Sequence, residues 1–447
     1  MSARFGKLRA KLRYSFWFLP TVITLATAGL SLLLDLVDRQ NETPRLLVWI
    51  SLDVQGMREI LVMVASSMIT VATTAFSIVI VALQLASGQL GPRLLRNFIR
   101  DRSNQVAFGV FIGTFVYCLL LLRNLGNGTR ASELPVIGFL GAMALTFTGV
   151  AVLIFFIHNA ALSIQKDRVI ARVSGELMES LDLLYPKTIG DPPPMVGSGE
   201  AQSQRLPVDS LSGWEDAEPL VLKDSGYIQA VDADKLMRVT QRANLAVYLI
   251  KRPGDFVSRG AVVARVRSEA ELDRRTRKRL ADVFILGIER TQQQDVGFVF
   301  DQLVEIAIRA LSPGVNDSFT ATRCIDRLTD ALAVVARTAF PSPYRFDPEG
   351  QLRVVTNPVN FPVLISQVLY PVAEAAAGHS AVILGLFRSV EEIANVSTER
   401  HQQQPLFRFL SYVDSLSEHG ASAGHRSEEF AFARARARKA IERIRGG

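Results

Sequence analysis

Four long stretches of the chain carry no charged side chain: 14–34, 60–92, 103–122 and 134–165. A helix needs roughly 20 apolar residues to cross a hydrocarbon core of about 30 Å, and each stretch is long enough. The pattern predicts membrane spans near 16–36, 60–86, 106–122 and 134–158. The first is read as a span and not as a cleavable leader, because no small-x-small site precedes a soluble chain and three further spans follow. Beyond residue 165 the apolar positions recur at helix and strand periods instead, which predicts a water-exposed α+β region.

The second stretch is chemically unlike the others. Ser66, Thr70, Thr73, Ser77, Gln84 and Ser87 recur at steps of three and four, with Ile80 in the gap, so they share one helix face. A buried amide such as Gln84 is costly in hydrocarbon unless it meets a partner or water. Two readings stay open: a pore or pathway lining, and polar contacts between helices. The span is long enough to rise about 40 Å. After the break at Gly91-Pro92, Arg93, Arg96 and Arg100 follow at helical spacing. They suit either a lipid-headgroup anchor or a cationic mouth that concentrates anions. Gly109-x-x-x-Gly113 in the third span, with Gly138, Gly141, Ala142 and Gly149 in the fourth, allows close helix approach within or between subunits.

Charge then sets orientation. Lys and Arg in the short flanks number twelve on the side of the N-terminal tail and five on the other. By the positive-inside tendency both termini are expected in the cytoplasm. Overall, 50 Lys+Arg against 43 Asp+Glu leave a net charge of +7, and the mean hydropathy is +0.21. The abundance of Leu, Ile, Val and Phe excludes global disorder. Cys118 and Cys324 are too few for a disulfide framework or a structural zinc site, and five scattered histidines give no metal cluster. No cofactor is expected.

In the second part, 166–185 predicts a helix and 185–219, rich in Pro, Gly, Ser and acid, a long flexible loop. Strands are expected over 227–231, 246–250 and 261–266, with a helix over 233–242. Residues 270–337 are expected to be helical. They include the basic patch Arg274, Arg275, Arg277, Lys278 and Arg279, which lacks the aromatic interleaving of nucleic-acid binders and suits a solvated or membrane-surface face. Phe300, Leu303, Val304, Ala307 and Leu311 make an apolar stripe that Pro313 and Gly314 end, with Asn316 or Asp317 capping the next helix. This structural corner accounts for every residue type in it. Ser312 has no histidine near it in sequence, so no nucleophile–base pair is read there. Asp301, Glu305 and Arg309 read as ordinary i,i+4 surface neighbours. A hairpin turning at 347–350 and helices over 361–376 and 380–395 follow, and the basic run 428–445 suits an oligomer contact, a membrane-surface contact or a frayed end.

Two resemblances add to this. Pro253-Gly254-Asp255-x-Val257-x-x-Gly260 resembles the hairpin repeat of biotinyl and lipoyl carrier domains. Those domains present a modified lysine at a hairpin tip, and no lysine stands there, so a small interaction or ligand-sensing barrel is expected instead. Second, Gly226-Tyr227-Ile228-Gln229, the Pro253-to-Val257 turn, the string from Ala310 to Asp317 and the string from Leu83 to Leu90 resemble a bacterial predicted membrane protein family, domain of unknown function 2254. Members of that family often have Pro where this chain has Ser318. The resemblance implies a bacterial inner-membrane protein and brings no activity or catalytic residue.

The expected organisation is therefore a four-span transmembrane domain over 1–165, a helical exit and flexible loop over 166–220, a small β-barrel-like subdomain over 221–267 and a mainly helical cytoplasmic domain over 268–447. The leading functional expectation is a homo-oligomeric, ion channel-like pore in the lipid bilayer, lined by the second span, with the cytoplasmic domain as gate or sensor. The alternative is a non-conducting membrane-anchored sensor or scaffold. An enzyme would need a pocket with convergent acid and base groups, which the sequence does not display.

Overall fold

The computed structural model describes residues 16–40, 54–90, 101–125, 135–163, 165–184, 214–269, 271–338, 342–420 and 425–444. They form two compact units, Met1–Val169 and Ile170–Gly447.

Four long apolar helices make the first unit: α1 (Phe18–Gln40), α2 (Val54–Leu90), α3 (Arg102–Asn124) and α4 (Val136–Ser163). All four are long and apolar enough to cross a membrane. At 37 residues α2 runs about 55 Å, past both edges of a hydrocarbon core, which is why it outgrows the expected span. The central element is α3, with just over half of its apolar window buried against 11–28% for the others. Glycines let it sit there. A Cβ at Gly109 would fall 2.7 Å from Ile23 Cδ1, and one at Gly113 would fall 2.7 Å from Thr27 Oγ1, so α1 rests directly on this small-residue ridge. The Gly-x-x-x-Gly spacing is thus used inside one subunit. At the far end of α1, the Asp38 carboxylate accepts the Ile137 and Gly138 backbone N–H groups at 3.0 and 2.8 Å, holding the N-terminus of α4 where a negative charge is favoured. The buried Tyr117 hydroxyl donates to Gly138 O at 2.8 Å. Leu25, Leu33, Phe147 and Ile154 face outward, a lipid-facing girdle in keeping with a membrane helix bundle.

In the second unit, α5 (Lys166–Leu184) is followed by β1 (Glu218–Val221), β2 (Gly226–Val231), α6 (Ala233–Arg242), β3 (Ala246–Leu249), β4 (Phe256–Val257), β5 (Val262–Arg267), α7 (Arg274–Ala281) and β6 (Phe284–Gly287). Then come α8 (Val296–Ala310), α9 (Ser318–Arg337), β7 (Tyr344–Phe346), β8 (Leu352–Val355), α10 (Phe361–Ala375), α11 (Ser380–Val396), α12 (Gln403–Gly420) and α13 (His425–Glu442). The loop expected over 185–219 lies outside the described residues as far as 213.

The expected small barrel is not what these strands make. The described residues form two open sheets, one ordered β1-β5-β3-β8-β7 and one ordered β4-β2-β6, with no closed barrel. The reason lies in the edges of β2 and β3. The free edge of β3 takes β8 in parallel, pairing Val247 with Val354, and the free edge of β2 takes β6, pairing Ile228 with Leu286. Both partners come from outside 221–267, and β6 occupies a segment expected to be helical. One apolar core joins the sheets to their helices, with Ile228, Val257, Val263, Leu280 and Val354 fully buried. The remaining helices pack into a separate layer around Phe300, Phe361, Phe387 and Phe409, all inaccessible to solvent.

Candidate functional site

On α2, the buried seam is Leu61, Ala65, Met68, Ala72, Ala75 and Val79, a repeat of three and four that packs the helix into its own bundle. Ser66, Thr70, Thr73, Ser77 and Gln84 sit about 150° round the helix from that seam, and all five are exposed on the subunit. The backbone of Ser87 belongs to α2 while its side chain lies outside the described residues, as do Arg93, Arg96 and Arg100.

The hydroxyls on this face are already satisfied. Ser66 Oγ donates to Val62 O at 2.9 Å, Thr70 Oγ1 to Ser66 O at 2.8 Å, Thr73 Oγ1 to Ile69 O at 2.9 Å and Ser77 Oγ to Thr73 O at 3.1 Å. Each keeps acceptor lone pairs turned outward, which makes a mildly polar track that does not need a partner. Gln84 differs. Its primary amide, with two N–H donors and a carbonyl acceptor, has no such closure onto the preceding turn, and it stands exposed on the same face.

In the second unit Asp301, expected as a surface neighbour on its helix, sits instead in an ionic junction. Arg290 donates from Nε to Asp295 Oδ2 at 2.7 Å and from Nη1 to Asp301 Oδ2 at 2.5 Å, while Gln367 Nε2 donates to Asp301 Oδ1 at 2.9 Å. Burial pushes the Arg290 guanidinium down in pKa, and the two carboxylates more than reverse it, so the net direction is up. Asp301 is therefore not the surface partner of Glu305; only Glu305 and Arg309 keep the expected helix-surface pairing, at 3.4 Å. Asp295 also caps α8 by accepting the Phe298 N–H, and Gly254, at φ +96°, leaves the space that its carboxylate fills. Beside it, Gln294 accepts from Val231 N at 2.9 Å and donates to Val231 O at 3.2 Å, and Gln292 donates to Glu176 at 3.1 Å. The glutamine string ties β2 and α5 to the start of α8.

At the corner, Asp317 caps α9, its carboxylate accepting from Thr320 N at 3.0 Å and from Thr320 Oγ1 at 2.6 Å. Asn316 takes the left-handed backbone, φ +50°, that turns the chain, while Pro313 and Gly314 stand exposed at the end of α8.

These features sit on a chain whose residues 13–392 match the family model described as predicted membrane protein, DUF2254. The chain belongs to that family. Uncharacterized proteins of Mycobacterium bovis and of Mycobacterium tuberculosis strain H37Rv are each 31% identical to it over 350 residues, 76% of this chain. The chain spans 64% of the length of those curated relatives. No solved structure matches it.

Sequence reasoning missed one pair in this DUF2254 chain. Ser318 Oγ lies 3.2 Å from His379 Nδ1, across 61 residues. Nucleophilic catalysis needs that base oriented by a third group. Among the described residues no carboxylate hydrogen-bonds the ring, and the adjacent Asp317 is spent on Thr320. The pair links the starts of α9 and α11. Proximity in sequence could not have found it.

Proposed function

We propose that the chain assembles in the bacterial inner membrane as a homo-oligomeric, channel-like pore lined by α2, with the unit Ile170–Gly447 acting in the cytoplasm as gate or sensor. What supports this is the placement of the polar face: it lies on the open side of a helix whose other side is packed, and it includes an amide that the helix itself does not satisfy. An amide left in hydrocarbon costs on the order of 2–7 kcal/mol, so contact with copies of α2 around a wet path is the more stable arrangement. Gln84 lies eleven residues after Thr73, about 16 Å along the helix, which puts the hydroxyl track near mid-bilayer and the amide near one mouth. The excess of Lys and Arg on the flanks supports a cytoplasmic side for that mouth and both termini. Arg93, Arg96 and Arg100, next in sequence, supply positive charge there and favour anions. The working partners are lipid, further copies of the chain and ions, with no nucleic acid, no cofactor and no catalytic step.

A second reading, a non-conducting membrane-anchored sensor or scaffold, draws on a different observation. The Ser and Thr hydroxyls bond back to their own helix, so most of the face tolerates lipid. Single-channel recording of the purified chain in planar bilayers, wild type against Gln84→Leu, separates the two. The pore reading expects unitary currents whose conductance changes in the variant. Currents unchanged by Gln84→Leu remove the amide from the path, and silence from folded, oligomeric protein favours the scaffold.

A further inference from the structure

Two arginines that the second unit holds close to its core are matched by acids, Arg290 by Asp295 and Asp301 and Arg353 by Asp347, while the buried Arg345 donates to the Ser342 and Tyr344 carbonyls. On the surface, cations gather at one cleft. Helices α6 and α7 lie side by side on the sheets, with Leu236 and Leu280 pressed into the core at 1% and 0% exposure. Between their outer sides is a cleft of about 290 Å³ lined by Lys235, Arg238, Arg242, Thr276 and Arg279, with Val239 and Ala243 as its apolar part. Four cations meet at it, and no acidic residue lines it.

The acids at its edges are committed elsewhere. Asp232 and Asp273 cap the two helices, accepting the Lys235 and Thr276 N–H groups at 2.9 and 2.6 Å. The pKa of Asp273 is lowered first by its hydrogen bonds to Thr276 and then by the field of Arg279 and Arg275, so its charge is present and local to the cap. Lys235 Nζ donates to the Asp282 backbone carbonyl at 3.0 Å. Among the described residues, Arg238, Arg242 and Arg279 have no carboxylate partner. Arg277, two residues from Arg279 on the same helix, does pair, with Glu218.

Holding like charges three and four residues apart on α6 and opposite a further cation on α7 is unfavourable unless something offsets it. A multivalent anion does so, and guanidinium groups match phosphate oxygens in geometry as well as charge. We infer that the cleft between α6 and α7 binds a phosphate-bearing ligand, with Arg238, Arg242 and Arg279 on the phosphoryl oxygens, Lys235 as a further cation and the Val239–Ala243 surface against a small organic part. The cleft lies wholly within the second unit, so the inference stands whether that unit gates a pore or serves as a scaffold.

Two sources share this chemistry, a free phosphorylated metabolite and an anionic lipid headgroup. The test is calorimetric titration of sodium pyrophosphate into the full chain in phosphatidylcholine nanodiscs, repeated with phosphatidylglycerol added. Wild type, the double variant Arg238→Gln/Arg242→Gln and the control Arg274→Gln, outside the cleft, are compared after equal melting temperatures establish that all are folded. The expected result is saturable binding that the double variant weakens about tenfold or more and the control leaves unchanged. Equal affinity in both lipids assigns a free phosphate ligand. Loss of affinity when phosphatidylglycerol is present assigns the headgroup. No binding by wild type in phosphatidylcholine, or binding that the double variant keeps, overturns the inference.

Discussion

The two units solve the same problem, what to do with polar side chains, in opposite ways. In the four-helix unit the hydroxyls of α2 close onto carbonyls three or four residues back, and the helices meet where side chains are missing, at Gly109, Gly113 and Gly141. In the second unit polar groups reach across the fold: Gln367 to Asp301 over 66 residues, Gln294 to Val231 over 63 and Arg353 to Asn244 over 109. A bilayer offers an exposed polar group no water, so local closure is the safe solution there. A core surrounded by water rewards distant pairing only where both partners are buried together, because an exposed pair contributes little. The membrane unit is accordingly held by close backbone approach, with Asp38 as its long-range polar clamp, and the second unit by apolar cores tied together at a few ionic junctions.

The sharpest way to break this contrast is Arg290→Met. The substitution removes the cation between Asp295, 6% exposed, and Asp301, 16% exposed, and leaves two carboxylates facing each other. Breaking such a pair by deleting one partner costs about 3–5 kcal/mol. We expect hydrogen exchange of the full chain to accelerate in peptides covering β6 and α8 by a matching factor, with α1 to α4 unchanged. A loss below about 1 kcal/mol would mean that the junction behaves as a surface pair.

The corresponding change in the membrane unit is Gly113→Val. Its side chain meets Thr27 on α1 at a position where even a Cβ sits 2.7 Å from the hydroxyl. Overpacking a tight contact costs about 1–3 kcal/mol, and more if α1 is forced off α3. Unfolding by a denaturing detergent should shift by that amount for the helix bundle, while the exchange of β2, β3 and β5 stays as in wild type. If the shift appears only in oligomeric preparations, the glycine ridge serves contacts between subunits instead.

The contrast also explains what could be read from the residues alone. The four spans, α6 over 233–242 and the hairpin at 347–350 were visible because each is written in local spacing or turn chemistry. The strand β6 was not. Phe-Ile-Leu-Gly is a four-residue apolar run, which periodicity cannot separate from helix, and only pairing with β2 settles it. Arg290 was invisible as a partner of Asp301 because it lies eleven residues earlier, across a turn, whereas Glu305 and Arg309 stood at inviting helix spacing. For the polar face of α2, the spacing fixed which residues share a side. Which way that side turns depends on where α3 and α4 pack, and the burial of Ala65, Ala72 and Ala75 is what turns it outward. The basic cleft is a hybrid: its charge density was plain along α7, but its second wall, Lys235, Arg238 and Arg242, belongs to a helix about 40 residues earlier.

The smallest predicted effect tests whether the long-range junctions of the second unit answer to pH. Asp347, 4% exposed, accepts from Arg353 Nε at 2.6 Å and from Gln351 N at 2.7 Å, while Arg353 Nη1 donates to Asn244 Oδ1 at 2.8 Å, joining the β7–β8 hairpin to the end of α6. Burial alone would raise its pKa, but the Arg353 hydrogen bond and the Gln351 N–H outweigh that, so the folded value lies below the ordinary carboxylate range. A carboxyl depressed on folding contributes stability that is fully present above its unfolded pKa, about 3.9, and is lost as pH falls through the folded value. Exchange protection of β3 and β8 in wild type should therefore exceed that of Asp347→Asn by a constant margin, on the order of 1–2 kcal/mol, from pH 7 down to about 5. Below about pH 4 the margin should shrink as the wild-type carboxyl takes up its proton. A margin that stays constant to lower pH would mean that Asp347 acts through shape and hydrogen bonding alone, and the second unit would then resemble the first in holding its polar groups by geometry and not by charge.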